Sequence, residues 1–133
     1  MSEVRWRLHL ASEPEAVWEL LATDEGRALF WAESTAERDG VVEFTFPNGE
    51  RSEGRVLAAE PARVFALEYF GAPARFELES DGRGGTELTL VHAGDEQAGW
   101  VSVLLALKAA ADFGVDLRNH DPRRSWSQGY CDN

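Results

Sequence analysis

The chain has 133 residues, 24 of them acidic and 13 basic, for a net charge of −11 at neutral pH. That length suits one domain with one core, and that charge repels the phosphates of nucleic acid and of anionic lipid surfaces, so neither is expected as a partner. Because no apolar run reaches the ~18 residues of a membrane span, and because residues 1–9 carry two arginines and alternate in polarity where a signal peptide would be continuously apolar, a cytosolic protein is expected.

Residues 4–10 alternate, with Val4, Trp6, Leu8 and Leu10 on one face and Arg5, Arg7 and His9 on the other, the period of a half-buried strand. Ser12-Glu13-Pro14-Glu15 reads as a capping box, the Ser12 hydroxyl accepting from the Glu15 backbone N–H and the Glu15 carboxylate reaching back, with Pro14 in the first turn. This predicts a helix over 13–22 that buries Val17, Leu20 and Leu21 with Trp18 beside them. Thr23 then caps a second short helix carrying Leu29, Phe30 and Trp31.

From residue 33 to residue 94 the chain reads as strands broken by turn chemistry at Asp39-Gly40, Pro47-Asn48-Gly49, Glu60-Pro61-Ala62, Gly71-Ala72-Pro73 and Asp81-Gly82-Arg83-Gly84-Gly85. The intervening strands, 41–46, 51–60, 63–70, 74–80 and 86–92, are too closely spaced for crossovers, so they form an antiparallel meander. Alternation turns Val42, Phe44, Phe46, Phe65, Leu67, Tyr69, Phe76, Leu78, Leu88, Leu90 and His92 inward, and Glu43, Glu77, Glu79 and Glu87 outward. Gly94-Asp95 supplies a turn and an N-cap for a long helix over 99–113, whose buried stripe is Trp100, Leu104, Leu107 and Ala111 with Val103 and Ala110 on its flank. Gly114 is its left-handed C-cap. In the polar tail, 121–133, Asp121-Pro122 opens one helical turn bearing Trp126 and closed by Gly129, or the end stays loose.

The predicted architecture is α+β: a curved antiparallel sheet of about six to seven strands wrapped around a long C-terminal helix, with two short helices after strand one, in a single domain over 1–133. The segment Leu10-Ala11-Ser12-Glu13-Pro14-Glu15-Ala16-Val17-Trp18, the aromatic pair Phe30-Trp31, the strand over 86–92, and Gly99-Trp100 with Leu104, Leu107 and Lys108 behind it resemble the START-like or SRPBCC superfamily. In particular they resemble the branch named after the activator of the ATPase of heat shock protein 90, which has many single-domain bacterial members. The resemblance spans essentially the whole chain and rests on the order and spacing of these motifs. It implies the helix-grip fold, which serves lipid carriers, hormone receptors, polyketide cyclases and chaperone cofactors alike. In the eukaryotic co-chaperone a separate N-terminal domain takes part in activation, and this chain has no room for one, so the branch name is not expected to apply literally.

A curved sheet closed by one helix leaves a space between them, and the side chains pointing into it are Trp31, Phe44, Phe46, Phe65, Leu67, Tyr69, Phe76, Leu90, His92, Trp100 and Leu104. That inventory either lines a pocket of a few hundred Å³ or packs solid as core. His92 either orients a ligand or moves a proton, or is satisfied by backbone or water; the Tyr69 hydroxyl faces the same choice. Lys108, the only lysine, lies at the edge of the helix stripe, where it snorkels instead of forming a Schiff base. Cys131 has no partner for an internal disulfide and reads as an idle, exposed thiol.

His9, His92 and His120 lack metal-ligand spacing, and Asp116, His120 and Asp121 read as a solvated terminus before they read as a cation site. Nucleophile elbow, P-loop and dinucleotide fingerprint are all missing, since the glycines of 81–85 lie in a hairpin turn. No metal and no cofactor are expected. The leading expectation is a domain that binds a small hydrophobic molecule between sheet and helix. The alternatives are a chaperone-cofactor-like interaction module using the outer sheet face or the tail 116–133, and a cyclase- or hydratase-like enzyme with His92 as base. Monomer and homodimer are both open.

Overall fold

The computed structural model describes residues 3–94 and 96–133, so the cap expected from Asp95 lies outside the described residues. Among the described residues seven strands pair antiparallel: β1 (Val4–Leu10), β2 (Ser34–Arg38), β3 (Val41–Thr45), β4 (Arg51–Glu60), β5 (Val64–Tyr69), β6 (Ala72–Ser80) and β7 (Thr86–His92). Their order in the sheet is β1-β7-β6-β5-β4-β3-β2, the meander that short Gly- and Asp-rich turns dictate, with the N-terminal strand returning to pair with the last. Helices α1 (Pro14–Ala22) and α2 (Asp24–Arg27) connect β1 to β2. Helix α3 (Gln97–Lys108) continues through a wider π-helical turn, Ala109–Phe113, and stops at Gly114 with φ 64°. This is the helix-grip arrangement.

The inward face is the one alternation specifies: Val42, Phe44, Phe65, Leu67, Phe76, Leu78, Leu88 and Leu90 are buried together with Trp100, Leu104 and Leu107 of α3. Each such side chain contributes roughly 1.5–3 kcal/mol relative to exposure. The sheet curls at β4. Residues 51–55 of that strand pair with β3 and residues 56–60 with β5. A bulge between Val56 and Ala58 turns Leu57 outward, 49% exposed. At the bend Gly54 lies against the Glu68 carbonyl so closely that a Cβ would overlap it.

Four local expectations are corrected. Glu13, not Ser12, is the N-cap of α1, and it makes no side-chain cap. Ser12 turns to the other end of the fold, its Oγ donating to the Ala111 carbonyl at 2.8 Å and to Asp112 at 2.7 Å, while the Ala11 and Ser12 N–H groups donate to the same carboxylate. A buried carboxylate collecting several donors outcompetes a solvent-facing cap. Burial pulls the Asp112 pKa up, but the hydrogen bonds from Ala11, Ser12 and Lys108 hold it below its ordinary value. Lys108 does reach past the stripe, donating to the His9 carbonyl and to Asp112, so it pins α3 to β1.

Thr23 caps α2 as expected, its Oγ1 accepting from the Gly26 N–H at 3.0 Å. Yet α2 ends at Arg27, so Leu29, Phe30 and Trp31 follow it in a turn. Leu29 is exposed there, whereas Phe30 and Trp31 are buried. Trp6 sits on the edge strand β1 and is 40% exposed, having no flanking strand on its outer side. The helix stripe holds through Trp100, Leu104 and Leu107. Past Lys108 the wider π turn advances the register, so Ala109 takes the buried position and Ala111 is only partly covered.

Candidate functional site

At one end of the grip the β3–β4 turn, the β5–β6 turn, the first half of α3 and the C-terminal tail converge on a cavity of about 280 Å³, open on one side. Of the eleven side chains read as inward-pointing, Trp31, Phe46, Tyr69 and Trp100 line it. Phe44, Phe65, Leu67, Phe76, Leu90, His92 and Leu104 do not; they are packed behind it in the core. The physical reason is ring volume. Trp31 lies 5.1 Å from Phe44, 5.4 Å from Tyr69, 5.5 Å from Phe76 and 6.1 Å from Trp100 between ring centroids, so it plugs the middle of the curved sheet. What remains hollow is the space outside this plug.

The rest of the lining comes from residues outside the eleven read as inward-pointing, some in turns and some on helices. The β3–β4 turn brings Pro47, Asn48 and Glu50; the N-cap of α3 brings Glu96 and the helix itself Gly99, Ser102, Val103 and Ala106; the turn after α2 brings Phe30. The β5–β6 turn was expected at Gly71-Ala72-Pro73. It is instead the two-residue turn Phe70-Gly71, with φ of 50° and 81°, closed by the pair Tyr69↔Ala72. Matching twist favours such primed turns, and Gly71 suits its position, but a left-handed Phe costs about 1–3 kcal/mol. The strained backbone sets the Phe70 ring at the cavity rim, 61% exposed and stacked on Phe46 at 5.9 Å.

The tail, open at sequence level between a helical turn and a loose end, is fastened down. Arg118 donates to the Ala32 and Ala28 carbonyls at 2.6 and 2.7 Å and holds both oxygens of Asp116 at 3.0 Å. Ser102 donates to the Cys131 carbonyl, and Ser125 with Gln128 forms a capping box for the turn Trp126–Gln128, which Gly129 closes. Arg118, Trp126 and Asn133 thereby become cavity wall. The thiol of Cys131 is free and exposed. Asp116 and His120 are engaged with Arg118 and Glu33, and among the described residues no group of three or more His, Cys, Asp and Glu side chains is placed to hold a metal ion.

Three buried polar groups have no partner among the described residues: the Trp31 indole N–H and both ring nitrogens of His92. Protein groups therefore do not supply the satisfaction expected for His92. Its ring lies 5.2 Å from that of Trp100 and under Gly94, where a Cβ would come within 2.7 Å of it, and it does not line the cavity. The Tyr69 hydroxyl is pushed up by burial well above its ordinary range. The nearby Trp31 N–H opposes this but does not outweigh burial, so Tyr69 is a neutral phenol at physiological pH.

His120 fastens the tail as a cation. Its ring nitrogens each lie 2.7 Å from a carboxylate, Glu33 and Asp116, which raise its pKa above the ordinary value against desolvation and the charge of Arg118. Burial raises the Asp116 pKa, but bonds from Arg118 and His120 prevail and hold it at about 2. A raised histidine stabilises fully below its unfolded pKa and loses that contribution as pH rises through its folded pKa; a depressed carboxylate loses its contribution as pH falls toward about 2. The latch is therefore strongest between roughly pH 4 and 6.5. Limited proteolysis within 115–133 is expected to accelerate as pH rises from 6 to 9 in the wild type, after correction for protease activity. It should be fast and pH-independent in His120→Gln; identical profiles for the two proteins would refute the latch.

No family profile matches the sequence, and no curated protein does. Solved structures match the fold. The protein SSP2350 from Staphylococcus saprophyticus superposes with a TM-score of 0.78 at 20% identity over 88% of this chain and 96% of its own. The Aha1 dimer from Colwellia psychrerythraea gives 0.74 at 21% over 86% and 98%, and the AHSA1-like protein from Aeromonas hydrophila gives 0.70 at 17% over 80% and 90%. The chain thus has the helix-grip fold, as Aha1 homologues do. Among the described residues no helix is long and apolar enough to cross a membrane.

Proposed function

We propose that this protein binds a small, largely apolar molecule at the open end of the grip, with Trp31, Phe46, Tyr69 and Trp100 as the contact surface. The observation that carries the reading is the cavity itself: about 280 Å³, open on one side and walled by aromatic rings from five segments of the chain. Small-molecule sites are concave and mostly apolar in this way. The strained Phe70 at the rim adds support, because backbone strain tends to persist where a binding surface requires it. Native mass spectrometry of the gently purified protein, set against its denatured mass, tests the reading. An excess of a few hundred daltons that disappears on denaturation is expected, in keeping with a cavity of this size. A bare mass both as purified and after incubation with cell extract would count against it.

A second reading, a protein-interaction module akin to chaperone cofactors, has one observation behind it. Beyond α3 the chain exposes Phe113, Val115 and Leu117, at 70%, 48% and 53%. None of the three lines the cavity, and one structural neighbour is described as a dimer. The same spectrum separates the two readings, since self-association doubles the mass without adding a small increment.

A further inference from the structure

We infer that the molecule this cavity takes is an organic cation, a substituted ammonium carried on an apolar body. The inference rests on the ligand-binding reading above and names its chemical class. Three charged side chains of the described residues reach the cavity: Glu50 from the β3–β4 turn, Glu96 from the start of α3, and Arg118 from the tail. Arg118 is spent. Two carbonyls and both oxygens of Asp116 take its donors, and its side chain is only 5% exposed. Glu50 and Glu96 are the reverse case: both are exposed, and neither carboxylate has an ion-pair or side-chain hydrogen-bond partner among the described residues. They come from two separate segments of the lining, so the cavity carries negative charge that no side chain among the described residues pairs, in a chain whose own net charge is −11.

Much of the remaining lining is aromatic. Trp100, Tyr69, Phe70 and Phe46 form a continuous run of contacts at 5.1, 4.7 and 5.9 Å between successive centroids. Aromatic faces are negative in their quadrupole and attract ammonium groups, Trp and Tyr most strongly, while their area serves the apolar remainder of the ligand. Tyr69 remains a neutral phenol, so it adds a π surface without adding a formal charge. An anion would meet two free carboxylates and no free base at the cavity. A neutral ligand would use the rings but gain nothing from Glu50 and Glu96. The cation is the one class for which both features act together, the carboxylates drawing it in and the rings holding it.

The test uses two probes of one shape, benzyltrimethylammonium and neopentylbenzene, in which carbon replaces the quaternary nitrogen. Each is titrated into the 15N-labelled full chain while the indole N–H signals of its five tryptophans are followed. Trp31, Trp100 and Trp126 line the cavity, whereas Trp6 and Trp18 do not and serve as internal controls. The cation is expected to shift the first three signals and not the last two, with an affinity about ten-fold or more above that of the isostere. That advantage should fall several-fold at high salt and in the double variant E50Q/E96Q, whose unchanged Trp6 and Trp18 signals would report an intact fold. Equal or tighter binding of the isostere at the same indoles overturns the charge preference and leaves the cavity reading standing. Failure of both probes to move those indoles overturns the two together. An advantage undiminished in E50Q/E96Q overturns the part given to the carboxylates.

Discussion

Arg27→Ala is expected to lower the stability of the fold by about 3–5 kcal/mol in chemical denaturation. Arg27 is fully buried, and all of its recorded partners are short: the Leu21 carbonyl at 2.9 Å, Asp24 at 2.7 Å, Glu37 at 3.1 Å and the Thr35 hydroxyl at 3.1 Å, with the guanidinium 5.8 Å from the Phe65 ring centroid. The two carboxylates are over a third exposed and rehydrate when the arginine goes, so their ion pairs are the smaller part of the loss. The larger part is the void left by a long side chain and the Leu21 carbonyl left buried without a donor. Arg27→Met separates these terms. It refills the volume and orphans the same carbonyl, and should cost only about 1–2 kcal/mol. An alanine variant within about 1 kcal/mol of wild type would show that the site collapses freely and that the network is dispensable. The consequence reaches the cavity, because the turn that starts at Arg27 carries Phe30 and Trp31 into its wall and presents the Ala28 and Ala32 carbonyls to Arg118.

That arginine also marks where pattern reading of the chain stops working. Alternation at Val42 and Phe44, or at Phe65 and Leu67, exposes the sheet face because the strand period is local, and the same holds for Trp100, Leu104 and Leu107 on the helix. Arg27 sits in a run of polar residues, Asp24-Glu25-Gly26-Arg27, and nothing within four residues shows that Glu37 and Thr35 of a later strand will enclose it. Ser12 has the spacing of a cap and spends its hydroxyl on Asp112, a hundred residues away. The cavity was legible only in part for a related reason. Periodicity says which side chains enter the curl, but not how far along the curl the rings close it. Trp31 closes it at the centre, so the hollow falls at the end, where turns and tail supply Pro47, Phe70, Arg118 and Trp126. Pro47 and Arg118 carry turn and surface signals, and Phe70 reads as the end of a strand; such local signals say nothing of what a residue faces across space.

The second large effect is expected at Gly54. Replacement by alanine should destabilise the protein by about 3 kcal/mol or more, because the added Cβ would overlap the Glu68 carbonyl, a backbone atom that no rotamer change can move aside. Its backbone is not left-handed, so the penalty is one of space and not of dihedral angle. Gly40→Ala is the matching control. Nothing lies within 4 Å of a Cβ there, but its φ is +77°, and the cost should stop near the roughly 1–2 kcal/mol of a left-handed residue. The difference matters for the site. β4 leaves its pairing with β3 for its pairing with β5 close to Gly54, where it lies against the Glu68 carbonyl, and the β3–β4 turn beyond it lines the cavity. Forcing the two strands apart moves Phe46, Pro47 and Glu50 away from Tyr69 and Trp100. Gly54→Ala should therefore weaken binding of any cavity ligand by more than its stability loss explains, under conditions where the variant is still folded, whereas Gly40→Ala should leave binding unchanged. Equal stability and equal binding in the two variants would mean that β4 slides past Glu68 without strain, and that the bend is set elsewhere in the sheet.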